Sequence, residues 1–307
     1  MENLSLNNRN NDIVNVTQVN KKFGKHEVLK NVSFKLRRGR IIGLVGPNGA
    51  GKTTIMKMML GLFPIDHGKV VIDDSQVTVR SHKVLQQKVG SLIENPAIYP
   101  FLTGKQHLEL MSKDLDDVQN IINYLKMNSY ITKKAKDYSL GMKQKLGIAM
   151  ALINHPELVI LDEPMNGLDP KSIKELRELI LKQREKGTTF LISSHILDEL
   201  ERLINDVLII DKGTILAEMS LEQLKAVKSK DVVVKTSDDL KAKKLLSDNH
   251  YMVKNKTSLE LDIKNETEFS EVMRLLVLNN IDILEIDRMD NDLESALIYL
   301  LNQTAGD

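Results

Sequence analysis

The chain has 307 residues, 42% of them hydrophobic and 28% charged, which provides for a sizeable core and suggests two domains. Lys and Arg number 43 against 42 Asp and Glu, a balance that argues against a duplex-coating protein, and no nucleic-acid partner is expected. There are 0 cysteines, which excludes a disulfide framework and a Cys-based zinc site.

Residues 1–12 are Asn-rich and polar, carry no apolar signal-peptide core and read as a disordered tail. From Ile13 the pattern turns strand-like, with Val14, Val16 and Val19, then Val32, Phe34 and Leu36 in alternation. Unbroken apolar runs follow at 41–45, 158–161, 190–192 and 207–210, the mark of strands buried on both faces in a parallel sheet. Helical patterns at 52–62, 172–186 and 195–203 separate them. Strand–helix alternation of this kind predicts an α/β fold over 13–220. Residues 81–154 are mostly helical in pattern and read as a helical insertion. No apolar stretch reaches the ~18 residues needed to cross a bilayer, so any action on a membrane is expected through a partner.

Composition shifts after Ser220. Residues 221–307 read as a small C-terminal α+β module in the order βαββαβ, a ferredoxin-like arrangement, with a final helix at 293–300. Its strands are expected at 232–234, 251–253, 258–263 and 281–286.

Gly46, Pro47, Asn48, Gly49, Ala50, Gly51, Lys52 and Thr53 follow a strand and open a helix, the context of a P-loop NTPase. Glycines let consecutive N–H groups turn toward one phosphate, and the helix N-terminus adds partial positive charge. Lys52 is expected to neutralise the β- and γ-phosphates, Thr53 to offer a hydroxyl to Mg²⁺, and Thr54 to reach the α-phosphate. The run at 158–161 ends in Asp162 and Glu163. Alone, such acids read as a turn or helix cap. Ligands of parallel sheets gather at the carboxyl ends of strands, so these acids are expected to face the phosphate loop. There Asp162 holds Mg²⁺, mostly through water, and Glu163 takes a proton from the attacking water. His195, past the third run, is expected to hydrogen-bond the γ-phosphate and that water.

Together these residues resemble the ATP-binding cassette ATPases over about 13–220. Tyr138, Ser139, Leu140, Gly141, Met142, Lys143, Gln144 and Lys145 resemble the family's signature, usually written LSGGQ, and residues 166–169, ending in Asp169, look like its D-loop. Phe23 matches the aromatic that stacks on adenine, although an ordinary core Phe reads the same way. The resemblance implies an ATPase with ATP and Mg²⁺ as cofactors. It implies a head-to-tail pair, homodimeric or with a similar chain, in which Ser139 and Gly141 of one copy complete the phosphate loop of the other. It also implies a polytopic membrane subunit on a separate chain, with this chain peripheral on the cytoplasmic face of the membrane.

Two positions depart from the family pattern. Leu140 replaces the first signature glycine, and Glu94 stands where a glutamine is usual. Glu94 is expected to serve the metal and the attacking water through its oxygens while adding negative charge. With residues 93–96, Tyr99 and Pro100, and with 292–297 near the terminus, it resembles bacterial bacitracin-resistance, lantibiotic-immunity and peptide-toxin exporters. Tyr99 and Phe101 are read as a contact to the membrane subunit or as loop anchors. Lys133, Lys134 and Lys136 read as a solvated face or as charges that attract the phosphates of the opposite site, and Met56, Met58 and Met59 as core filling. Two other readings stay open: a soluble cassette ATPase that remodels nucleic acid or ribosomes, and an ATP-binding regulatory module with little hydrolysis.

Overall fold

The computed structural model describes residues 11–81, 85, 88–112, 114–227, 231–251, 253, 259–263, 266–288 and 293–304. The chain divides into two compact units, Met1–Leu221 and Glu222–Asp307.

The first unit contains two sheets. Strands β1 (Asp12–Phe23) and β2 (His26–Arg37) bury their alternating apolar residues on one face, as a period of two dictates. They join β4 (His67–Ile72) and β5 (Ser75–Gln76) in an antiparallel sheet of order β2-β1-β4-β5. The second sheet runs β10-β9-β3-β8-β7-β6. Its strands are β3 (Ile41–Val45), β6 (Val89–Leu92), β7 (Leu158–Asp162), β8 (Thr189–Ser193), β9 (Asp206–Asp211) and β10 (Thr214–Ser220). All its pairings are parallel except that of the edge strand β10 with β9. Every residue of β3, β7 and β8 is buried, as their unbroken apolar runs require.

Helix α1 (Lys52–Met59) leaves the end of β3 and joins the two sheets through one core. Ile55, Met56, Met58 and Met59 are all buried there, so the methionines fill the core. Between β6 and β7 lie α2 (Gly104–Met111), α3 (Leu115–Tyr124) and α4 (Leu140–Leu152). Each begins at a side-chain cap: Thr103 accepts from Gln106 N, Asp114 from Asp116 N and Asp117 N, and Ser139 from Met142 N. Helix α5 (Pro170–Glu185) leads into β8, and α6 (Leu197–Glu201) follows it.

Two expectations change here. Asp12, expected in a disordered tail, opens β1 opposite Arg37 and lies 3.2 Å from Lys35 Nζ, because the ladder gives it a partner; residues 1–10 lie outside the described residues. The span 81–154, read as mostly helical with no buried strand run, contains β6, which pairs in parallel with β7. This strand has only Val89 and Leu92 as apolar members, so it lacks the run that marks a fully buried strand.

Helix α7 (Leu221–Val227) starts on the last residue of the first unit, and the second unit goes on with β11 (Asp231–Thr236), α8 (Asp239–Asp248), β12 (Leu259–Asp262), α9 (Glu266–Leu278), β13 (Ile283–Arg288) and α10 (Leu293–Thr304). Its sheet is antiparallel in the order β12-β11-β13. Val232, Val234, Leu259 and Leu261 pack with Ala242, Leu246, Val272 and Leu276 of the helices. Of the strand expected at 251–253, Val253 forms a bridge to Leu261; Met252, residues 254–258 and Asp292 lie outside the described residues. Among the described residues no helix is long and apolar enough to cross a membrane.

Candidate active site

The carboxyl ends of three neighbouring parallel strands, β3, β8 and β7, supply the polar residues. Past β3 the chain turns through residues 46–51, and Gly51, in the left-handed region at φ +111°, is the N-cap of α1. Lys52 folds back over this loop, donating to Gly46 O at 2.7 Å and Pro47 O at 3.1 Å. Burial pushes its pKa below the usual lysine value, and the nearby charges of Glu163 and Asp162 oppose that only in part.

The end of β7 meets this loop directly. Thr53 Oγ1 donates to Asp162 Oδ2 at 2.8 Å, and Ser193 Oγ donates to Asp162 Oδ1 at 2.6 Å. Both oxygens of this buried carboxylate are therefore satisfied by hydroxyls from two other elements, as a buried charge requires. Ser193 Oγ also accepts from the backbone N–H of Glu163 at 2.9 Å. Glu163 sits in the left-handed region at φ +52°, a conformation uncommon outside glycine. Its Oε2 lies 2.7 Å from His195 Nδ1 and accepts from His195 N at 3.1 Å. From α4, buried Gln144 donates to Glu163 O at 3.3 Å and Pro164 O at 3.1 Å, tying the signature helix to the acidic loop.

An open cavity of about 680 Å³ lies over these residues. Asn48, Gly49, Gly51, Lys52, Thr53 and Thr54 line it from the phosphate loop, and Asp162, Glu163 and Glu94 line it with carboxylates. Gly46, Pro47 and Ala50 are not in the lining. Ala50 is buried behind the loop, while Gly46 and Pro47 hold Lys52 through their carbonyls. His195 is also outside the lining and reaches the site through Glu163. Glu94 stands in the left-handed region at φ +56°, and Lys57 Nζ lies 2.5 Å from its Oε1.

Other expected residues lie away from this cavity. Phe23 is half-exposed, with its ring edge-on to Phe63 at 5.3 Å and Lys21 Nζ 5.1 Å from its centroid. Ser139 caps α4, and Asp169 caps α5 by accepting from Ser172 N at 2.6 Å. That backbone hydrogen bond holds the Asp169 carboxyl below the ordinary value. Gly141 packs against the D-loop backbone, where an added Cβ would lie 2.8 Å from Gly167 O. Exposed Leu140 lies across Gly167 and lines the cavity edge. Ser193 and Lys57 were not singled out from the sequence, and Gln144 was read only as a member of the signature run. Ser193 terminates a buried apolar run just as Asp162 does, and that shared position was the available signal.

Comparison with known proteins places this geometry. The sequence model described as ABC transporter matches residues 29–166. The bacitracin transport ATP-binding protein BcrA of Enterococcus faecalis is 36% identical over 300 residues, covering 94% of this chain and 96% of that protein. The chain belongs to the ABC transporter ATP-binding proteins. It is thus an ATP-binding, ATP-hydrolysing transporter subunit. The lantibiotic transport ATP-binding protein SrtF of Streptococcus pyogenes is 38% identical over 210 residues, covering 67% of this chain and 90% of that protein. A solved ATP-binding subunit of an ABC transporter superposes with a TM-score of 0.65 at 29% identity, covering 70% of this chain and 92% of that one.

Proposed function

We propose that this ABC ATPase powers export of an amphipathic or antimicrobial peptide through a separate polytopic membrane subunit, working peripherally on the cytoplasmic face of a bacterial membrane. The observation that carries this reading is the extent of the match. Similarity to the bacitracin transport protein runs over 94% of the chain, beyond the 70% that superposes on the solved ATP-binding subunit. The lantibiotic transport protein supports it over 67% of the chain. Tyr99 and Phe101 suit a docking contact to the membrane subunit: both rings are exposed, with centroids 5.7 Å apart.

The site supports the following division of labour. Lys52 and the loop amides bind the phosphates of ATP. Glu163 receives the proton of the attacking water, and His195 fixes the orientation of its carboxylate through the two contacts to Oε2. The donor set fits a magnesium ion: Thr53 and Asp162 offer oxygen only, and such an ion takes one or two carboxylates and leaves the rest to phosphate and water. Bound there, the ion would neutralise phosphate charge, with Glu94 as a further oxygen at the cavity wall. Ser139, Gly141 and Asp169 lie outside the lining of their own cavity, as suits residues presented to the ATP of a second nucleotide-binding domain.

The test is protection. Co-expression with its membrane subunit in a sensitive Gram-positive host is expected to raise the concentration of bacitracin or a lantibiotic needed to stop growth. Glu163→Gln is expected to abolish that protection. Equal sensitivity with and without the active pair, across both peptide classes, would sink the peptide-export reading while leaving the ATPase intact.

A further inference from the structure

Glu94 is the departure that the cavity must accommodate. It lines the nucleotide cleft beside Asp162 and Glu163, so three carboxylates face the space where the phosphates of ATP are proposed to lie. Two of them are engaged inside the catalytic network: Asp162 by the hydroxyls of Thr53 and Ser193, and Glu163 by His195. The partner of Glu94 comes from elsewhere. Lys57 stands on α1 one turn beyond Thr53, and its Nζ lies 2.5 Å from Glu94 Oε1. Its side chain is only 22% exposed while that of Glu94 is 57% exposed, so the fixed member of the pair is the lysine. A second contact holds the ammonium: it lies 5.8 Å from the centroid of the Phe63 ring. Lys57 itself is not among the residues lining the cavity.

We infer that Lys57 is a positioning residue that allows a glutamate at position 94, cancelling its charge beside the triphosphate and holding its carboxylate at the cavity wall. The physical need is simple. A triphosphate brings several negative charges, and an unpaired carboxylate at the wall repels them. A glutamine at 94 carries no charge and needs no counter-ion. The counter-ion role of Lys57 therefore exists only while residue 94 is a glutamate. This inference rests on the reading that ATP occupies the cleft over Lys52.

The test uses the full chain with Lys57→Met and Glu94→Gln, singly and together, and reads ATP affinity by calorimetry in chelator and KM against kcat in hydrolysis. Lys57→Met alone is expected to weaken ATP binding roughly five- to twentyfold, less at high salt, with KM moving more than kcat. In the Glu94→Gln background the same change is expected to alter affinity by no more than about twofold. Lys57→Arg, which keeps the charge, is expected to bind ATP like the unsubstituted chain. The inference is overturned if Lys57→Met weakens binding equally in both backgrounds, since that marks a role of Lys57, through its own charge or its packing against Phe63, that does not depend on Glu94. It is equally overturned if Lys57→Met leaves affinity unchanged with Glu94 present. Failure of the underlying reading looks different: Lys52→Ala would then bind ATP as tightly as the unsubstituted chain.

Discussion

His195 and Glu163 are joined twice through one oxygen, the ring Nδ1 at 2.7 Å and the backbone N–H at 3.1 Å from Glu163 Oε2. The backbone contact comes from the loop after β8 and survives any change of the His195 side chain. The two residues should therefore fail differently. Glu163→Gln is expected to retain ATP binding and to lose about a hundred- to ten-thousandfold in hydrolysis, the usual worth of a general base. His195→Ala is expected to lose less, because one anchor of the carboxylate remains. Steady-state phosphate release with calorimetric ATP binding checks both, and a Glu163→Gln chain hydrolysing at full rate would remove Glu163 from its role.

Ser193 serves two masters at once, donating to Asp162 and accepting from the Glu163 N–H. Ser193→Ala leaves a buried carboxylate oxygen and a backbone N–H without partners. A loss of about 1–3 kcal/mol in stability is expected from such unsatisfied groups. Hydrolysis is expected to fall as well, since the same hydroxyl orients both acids. Thermal unfolding and phosphate release measured on one preparation check the pair of effects. A stable Ser193→Ala chain with full activity would show that the hydroxyl is dispensable.

Much of this site was legible because its chemistry is local in the chain. Gly46 to Thr53 form a contiguous motif, and Asp162 and Glu163 directly end an apolar run. What escaped was set by distance in sequence. Lys57 acquires its meaning only from Glu94, 37 positions away, and Gln144 from the loop carbonyls 19 and 20 positions on. Strand β6 escaped for another reason: an edge strand with a glycine and a serine between two apolar residues has no period to detect.

Leu140 and Gly167 form a steric couple between the signature and the D-loop. An added Cβ on Gly167 would lie 2.7 Å from Leu140 Cδ2 and 2.8 Å from its Cγ. Gly167 also sits at φ +74°, so Gly167→Ala is expected to lose about 1–3 kcal/mol through backbone strain and overpacking together. Leu140→Gly removes the collision and leaves the strain. The double variant is expected to regain only the packing share. A double-mutant cycle on thermal stability measures that share, and strict additivity would show that the two side chains do not meet.

Asp73 ties the two sheets of the first unit together at the end away from the cavity. Its carboxylate accepts from Lys88 and Arg38, and Arg38 also donates to Glu157 at 2.7 Å. Lys88, Glu157 and Arg38 stand before β6, β7 and β3 respectively, at the amino ends of strands whose carboxyl ends build the site. The Lys88 hydrogen bond is the largest cause that holds the Asp73 pKa below the ordinary carboxylate value; burial opposes it, and Arg38 adds to it. A native pKa below the unfolded one means the folded state binds the proton less readily. The resulting stability is present above the unfolded pKa, near 4, and is lost as pH falls below that through the native value. Asp73→Asn is therefore expected to cost about 1–3 kcal/mol at neutral pH, an estimate for a pair intermediate between surface and interior. The difference should shrink as the pH drops below about 4, where the unsubstituted chain also loses the charge. ATP affinity at neutral pH is expected to be unchanged, because the network lies at the opposite strand ends. Melting curves from pH 7 to pH 3 check the slope. A difference between the two chains that stays constant across that range would show that the ion pairs contribute no stability through charge.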